Sequence, residues 1–126
     1  MNLVLKILIG LVCLLFLSLG VPAMFAPESM TAQLGLSVDN LTGLSTLRGD
    51  IGGMFMACVV MLVLGLVRGE TLWFLAVALM MLLIALGRGI GLVVDGVDQT
   101  TVTPFVTELI IAALLIVAHR RLAAPA

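Results

Sequence analysis

The side chains of this sequence that could carry chemistry are few, and they lie in a chain that is otherwise apolar. Only 10% of the 126 residues are charged. Two arginines and three carboxylates fall in or beside apolar runs: Arg48, Asp50, Arg88, Asp95 and Glu108. Residues of these types in a membrane can form ion pairs, hold an anion with a guanidinium, or exchange protons through a carboxylate. These five residues are therefore the candidate polar cluster and ligand-binding site.

Patterns typical of catalysis or metal binding are missing from the sequence. The single histidine, His119, stands beside Arg120 and Arg121, and Cys13 and Cys58 each fall near the middle of an apolar run. No group of His, Cys and carboxylate residues has the spacing of metal ligands, and no Ser/His/Asp arrangement is evident. A cysteine inside an apolar run is typical of packing. We therefore predict a non-enzymatic protein with no catalytic residue, no metal and no cofactor.

The elements that must position the charges are membrane spans. Hydrophobic residues make up 63% of the chain, and four apolar runs cover residues 3–25, 47–67, 72–94 and 102–118. Each is close to the ~20 residues needed to cross a ~30 Å hydrocarbon layer. The runs are apolar on all sides and show no alternation, which favours helices over a β-barrel. The sequence predicts an all-α fold, in which residues 1–126 form one domain of four transmembrane helices.

The first run has a second interpretation as a cleaved signal peptide. Lys6 would be its charged start, and the tripeptide Val-Pro-Ala at residues 21–23 would be its cleavage site. The apolar run continues past this tripeptide to Phe25, which favours a membrane span.

The distribution of positive charge predicts the orientation. Lys6, Arg68, Arg120 and Arg121 fall on the side that both chain ends share, and by the positive-inside rule this side is cytoplasmic. The opposite side carries the other two arginines and every acid except Glu70. We therefore predict a multi-pass protein with cytoplasmic N- and C-termini and an acidic outer half.

The first outer loop is predicted to contain a short interfacial helix. Pro27 suits a first helical position, two apolar residues four positions apart follow on one helix face, and Gly35 is a residue at which helices commonly end. Asp39 is predicted to cap the next helix, which would begin outside the hydrocarbon and enter it near Arg48.

Three motifs and a late glutamate carry a family resemblance. The motifs are FAPESMTAQLGLSVDN, LRGDIGG and GRGIGLVVDG, within residues 25–108. They resemble a family of small bacterial four-helix membrane proteins classed as a domain of unknown function. In that family, an arginine ahead of a Gly-Gly pair opens the second helix, and a Gly-Arg followed by an Asp-Gly closes the third. The matching positions here are Arg48, Gly52, Gly53, Gly87, Arg88, Asp95 and Gly96.

The sequence departs from the family at Gly49 and Asp50, where less polar residues are more common, so the cluster here could hold an extra acid. The resemblance implies the fold and the topology, and with them the bacterial inner membrane. It implies no activity.

The depth of each charge predicts how it is paired. Side chains lean toward the N-terminus of their helix, so Arg88 leans inward in the third helix, ~6 Å below the outer hydrocarbon boundary. Glu108 lies ~9 Å below the same boundary. An unpaired cation there costs at least ~2 kcal/mol, so we predict an Arg88–Glu108 ion pair that faces the bundle interior. Asp95, ~10 Å along the axis from Arg88, would hold a water or end a second ion pair.

The remaining candidate residues are predicted to bring the second and third helices together. Arg48 and Asp50 lie about 200° apart on a helix, so only one of them can face the cluster. Small residues four apart permit close helix approach. The predicted packing residues are Gly49, Gly52, Gly53, Gly87 and Gly91.

Three functions stay open for the charged cluster. The favoured one is an ion-pair network that fixes helix register in an accessory or partner subunit. The second is a pocket in which Arg48 and Arg88 hold a lipid-like or anionic amphipathic ligand. The third is proton-coupled transport by an oligomer, with Glu108 or Asp95 titrating. Expected partners are membrane lipids and a homo-oligomer or larger membrane complex. A net charge of −1 disfavours nucleic acid.

Overall fold

The computed structural model describes residues 2–123, and within this range every regular element is helical. The predicted domain of residues 1–126 also includes residue 1 and residues 124–126, which lie outside the described residues. Four helices are long and apolar enough to cross a membrane, which confirms the predicted all-α membrane fold. They are α1 (Asn2–Phe25), α2 (Leu41–Arg68), α3 (Leu72–Val94) and α4 (Gln99–Leu122).

The helices of the second and fourth spans begin before their apolar runs, at Leu41 and Gln99. Asn40 has an extended backbone, and its side chain accepts a hydrogen bond from the backbone N–H of Gly43 at 2.8 Å. Asn40 is therefore the cap of α2, and the prediction of Asp39 was wrong by one residue. At the start of α4, the carbonyl of Asp98 accepts hydrogen bonds from Thr101 and Val102, both at 3.0 Å.

The loop between α1 and α2 contains the predicted short helix. It consists of a 3₁₀ turn over Pro27–Met30 and one α-helical turn over Thr31–Leu34. It ends at Gly35, whose φ of 66° lies in the left-handed region that favours glycine. Pro27 and Met30 are buried, and the 3₁₀ turn packs against α1. This segment closes the first hairpin, α1 with α2, at its loop end.

The two ends of the bundle differ in charge. The helix ends joined by residues 69–71, together with the chain ends, form the basic end, and the other two loops form the acidic end. The basic end carries Lys6, Arg68, His119, Arg120 and Arg121, and the acidic end carries Glu28, Asp39, Asp50, Asp95 and Asp98.

The hydrophobic core fills the half of the bundle nearer the basic end. Its largest fully buried side chains include Phe16 of α1, Leu62 of α2, Phe74 of α3 and Leu115 of α4. On the second hairpin, α3 with α4, the buried residues stop at Ala85 and resume only at Ile111. Residues 86–110 thus contain no buried residue. The first hairpin, by contrast, stays packed to the acidic end.

Glycines allow close approach at sites other than those predicted. A Cβ at Gly65 of α2 would come within 2.4 Å of the Phe74 ring of α3, so these helices meet near the basic end. At Gly52 a Cβ would lie 3.0 Å from the backbone nitrogen of Met24, so the π-helical turn Leu47–Gly52 of α2 packs on α1. Gly52 is therefore a packing residue, but its partner is α1.

The predicted approach of α2 and α3 near the acidic end was wrong. No atom lies within 4 Å of a Cβ built at Gly49, Gly53 or Gly87, and at Gly91 only Asp95 of the same helix does. Leu47–Gly52 forms a π-helical turn in which Leu47 and Gly52 are buried and Gly49 is exposed. On α3, Gly87 follows the buried Ala85 by two residues and so points about 160° away from the core.

Gly52 and Gly53 provide a matched pair of substitutions. We expect Gly52→Ala to lower the unfolding free energy by roughly 1–3 kcal/mol, because the new methyl group meets the backbone of α1, which cannot move aside. Gly53→Ala should be neutral or stabilising by up to about 1 kcal/mol, because the space there is open. Thermal unfolding in detergent, followed by the fluorescence of the single tryptophan, measures both. Equal melting temperatures for the two variants would contradict this packing.

Candidate functional site

The candidate site continues the buried faces of α3 and α4 toward the acidic end. Residues three or four apart share one face of a helix. On α3, the buried Met81 and Ala85 are followed on the same face by Arg88. On α4, the buried Ile111 is preceded on the same face by Glu108. The apolar core therefore ends in a layer that consists of one cation and one anion.

Arg88 and Glu108 form the predicted ion pair between the third and fourth helices. The Nε of Arg88 donates to Oε1 of Glu108 at 2.8 Å. It is the only ion pair among residues 2–123. The side chain of Glu108 is 12% exposed and that of Arg88 is 38% exposed. The carboxylate is thus nearly enclosed, while part of the guanidinium stays accessible.

The hydrogen bonding of this pair is incomplete. Oε2 of Glu108 is buried and has no partner among the described residues. Arg88 uses only Nε, and its two terminal amino groups make no hydrogen bond to residues 2–123. Arginine–carboxylate pairs are frequently bidentate, and a buried polar atom without a partner costs about 1–3 kcal/mol. The pair therefore leaves one carboxylate oxygen and several N–H donors free for another group.

Arg48 lies in the first hairpin and does not join this pair. Its Nη1 donates to the backbone carbonyl of Met24, near the C-terminal end of α1. A cation is favourable there because it faces the negative end of the helix dipole. The prediction that Arg48 belongs to the charged cluster was wrong, because Gly52 packs on the backbone of Met24 and holds the part of α2 that carries Arg48 against α1.

The two aspartates of the predicted cluster also lie apart from the pair. Asp50 is exposed within the π-helical turn, and Asp95 is exposed at the end of α3. The backbone N–H of Asp95 donates to the carbonyl of Gly91 at 2.8 Å. Gly96 follows with a φ of 114°, which a residue with a side chain rarely adopts, so the chain turns here toward α4. The prediction of a second ion pair at Asp95 was wrong.

The two hairpins do not close over the pair. The π-helical turn Leu47–Gly52 packs against α1, and α3 and α4 pack chiefly against each other. No residue of 86–110 is buried, although Arg88 and Glu108 continue the core-facing sides of their helices. The side chain of Arg88 is 38% exposed, and we call the accessible space beside its guanidinium the opening.

An apolar groove of about 520 Å³ lies along the second hairpin, and neither Arg88 nor Glu108 lines it. Gly89 and Phe105 meet in its wall, where a Cβ at Gly89 would lie 3.4 Å from the phenyl ring. All of its lining residues are apolar: Leu82, Ala85, Leu86, Gly89, Ile90, Val93, Val94, Phe105 and Leu109. The groove offers surface to a hydrocarbon chain or an apolar helix, but no polar atom that would recognise a particular ligand.

Contacts at the basic end involve residues that the sequence did not single out as a pair. The Nδ1 of His119 lies 3.1 Å from both the carbonyl and the hydroxyl oxygen of the buried Thr71, which links the end of α4 to the start of α3. Trp73 donates to Glu70 at 2.9 Å. In the described part of the chain, no group of three or more His, Cys, Asp or Glu residues could hold a metal ion.

The fold and the ion pair define a small four-helix membrane protein whose core ends in a charged layer. Residues 4–119 match the family described as domain of unknown function DUF4345, and the chain belongs to this family. The resemblance to a family of this kind, predicted from the sequence, is confirmed. No curated protein and no solved structure matches the chain.

Proposed function

We propose that this protein is a non-enzymatic accessory subunit of the bacterial inner membrane. Both termini lie in the cytoplasm, and the acidic end faces the opposite side. The observation that carries the proposal is the absence of any buried residue between positions 86 and 110, while the rest of the bundle has a closed core. This part of the second hairpin is the surface that the subunit presents to another component of the membrane.

The composition of that surface supports a protein partner. Val93 and Val97 are 85% and 82% exposed, and they lie close along the chain to the charged Asp95 and Asp98. Charged residues in membrane segments usually face other protein or a water-filled cavity, and Arg88, whose side chain is 38% exposed, is such a residue at the edge of this surface. The Arg88–Glu108 pair fixes α3 against α4, so this mixed surface is preformed before a partner arrives.

Site-specific photo-crosslinking in the membrane tests the partner surface. A photoreactive amino acid at Val93 should give one discrete product of defined mass, identified by peptide mapping as a second copy or another subunit. The matched control is Leu79 on the same helix, which is also exposed but lies beside the closed core. The proposal fails if both positions give the same products, or if Val93 gives none.

A second candidate function is the binding of a lipid-like ligand in the opening. It is favoured by the free N–H groups of Arg88 beside a carboxylate oxygen of Glu108 that has no partner. Arg48 points to the carbonyl of Met24, so the ligand would be held by Arg88 and Glu108 rather than by two arginines.

A further inference from the structure

We propose that the Arg88–Glu108 pair binds a neutral lipid with a free hydroxyl group at its polar end, the chemistry shared by a diacylglycerol and a membrane quinol. The inference rests on the ligand-binding function and names its ligand class. It follows from the charge of the pair, its unused hydrogen-bonding groups and its depth.

The charge of the pair selects a neutral ligand. The carboxylate of Glu108 already neutralises the guanidinium of Arg88 through the contact at 2.8 Å. An anionic headgroup would leave the site with a net negative charge, and a cationic one would leave it with a net positive charge. Burying either uncompensated charge is costly, so a neutral polar group fits best.

The unused hydrogen-bonding groups select a hydroxyl. The pair offers both an acceptor, Oε2 of Glu108, and donors, the terminal N–H groups of Arg88. A hydroxyl group donates one hydrogen bond and accepts others, so a single hydroxyl can satisfy both sides. Oε2 is buried, so the carboxyl group must turn about the last torsion of the glutamate side chain, which is broad, for the hydroxyl to reach this oxygen. An ester or a quinone carbonyl can only accept.

The depth of the pair excludes the charged headgroups of ordinary phospholipids. Arg88 and Glu108 lie ~6–9 Å below the hydrocarbon boundary by their positions in α3 and α4. A phosphate would have to carry its charge into the hydrocarbon layer to reach them. The polar ends of diacylglycerols and quinols carry no charge and can enter this depth without that penalty.

Binding of matched ligand pairs to the full chain in mild detergent, measured by native mass spectrometry, tests the inference. The first pair is dioleoylglycerol and its 3-acetyl ester, and the second is a short-chain ubiquinol and its quinone, measured without oxygen. We expect each hydroxyl form to bind about tenfold more tightly than its partner, the upper range for one lost hydrogen bond. The hydroxyl form that binds at the lower concentration identifies which of the two sources fits the site.

The protein variants separate failure of the inference from failure of the ligand-binding function. The double variant Arg88→Met/Glu108→Leu should lose the preference for hydroxyl forms, while Arg48→Met should keep it, because Arg48 lies outside the site. Equal binding of alcohol and ester by wild type overturns the inference, whether or not the double variant folds. If the wild type binds alcohol and ester equally but the double variant binds neither, a ligand-binding function at Arg88 and Glu108 stands. If a folded double variant binds every ligand as the wild type does, both the inference and the ligand-binding function are overturned.

Discussion

Replacing Arg88 by methionine is expected to lower the unfolding free energy by roughly 2–3 kcal/mol, the upper part of the range for a polar group that loses its partner in a partly buried pair. The substitution leaves the carboxylate of Glu108, which is 12% exposed, without its only described partner. The double variant Arg88→Met/Glu108→Leu should return close to wild-type stability, because it removes both charges and extends the apolar core by one layer.

The reverse single variant is also expected to be destabilising. Glu108→Leu leaves the guanidinium of Arg88 without its carboxylate at a depth where an unpaired cation costs at least ~2 kcal/mol. Equilibrium unfolding of wild type, both single variants and the double variant completes a double-mutant cycle. If the two single costs simply add in the double variant, the pair makes no stabilising interaction and its assignment to the core-facing layer is wrong.

The second large effect is expected at Gly65. A Cβ there would lie 2.4 Å from one atom of the Phe74 ring and 2.9 Å from two others. Phe74 is 1% exposed and belongs to the closed core, so its ring has no free space to enter. Gly65→Ala should therefore cost about 3 kcal/mol, the upper part of the range for overpacking.

Two controls show whether this cost comes from the contact between α2 and α3. Gly10→Ala places a methyl group in a helix where no atom lies within 4 Å, and it should be neutral or stabilising by up to about 1 kcal/mol. Adding Phe74→Leu to Gly65→Ala should recover part of the loss, because leucine leaves room for the new methyl group. If Phe74→Leu does not raise the melting temperature of Gly65→Ala, or if Gly10→Ala and Gly65→Ala shift the melting temperature equally, α2 and α3 do not meet at Gly65.

The features that the sequence predicted correctly depend on order and depth along the chain. The length of each apolar run sets a span, and alternate spans run in opposite directions. These two facts place Arg88 and Glu108 at nearly the same depth in neighbouring helices, which is why their ion pair could be predicted. The helix in the first loop followed from local signals, Pro27 at its start and Gly35 at its end.

The features that the sequence missed depend on which face each helix presents to its neighbours. The π-helical turn Leu47–Gly52 is not evident from the residue types, and neither is the burial of Leu47 and Gly52 within it. Because this turn packs on α1, Arg48 reaches a backbone carbonyl instead of the acids of the second hairpin. The contact of His119 with Thr71 spans 48 residues and has no local signal at all.

These observations give the second hairpin two parts with different roles. Toward the basic end, α3 and α4 share a closed core with the first hairpin. Toward the acidic end, they carry an incompletely bonded ion pair and no buried residue. The proposals of a partner surface and of a hydroxyl ligand both follow from this end of the closed core at Arg88 and Glu108.

The most direct test is a dipolar-recoupling solid-state NMR experiment on wild-type protein in lipid bilayers, with ¹⁵N in the arginine side chains and ¹³C in the glutamate carboxyl groups. The contact of 2.8 Å between Nε of Arg88 and Oε1 of Glu108 predicts strong dephasing of one carboxyl signal. That dephasing should disappear in Glu108→Gln and persist in Glu28→Gln. Absence of dephasing in wild type, or its persistence in Glu108→Gln, would contradict the ion pair on which both proposals depend.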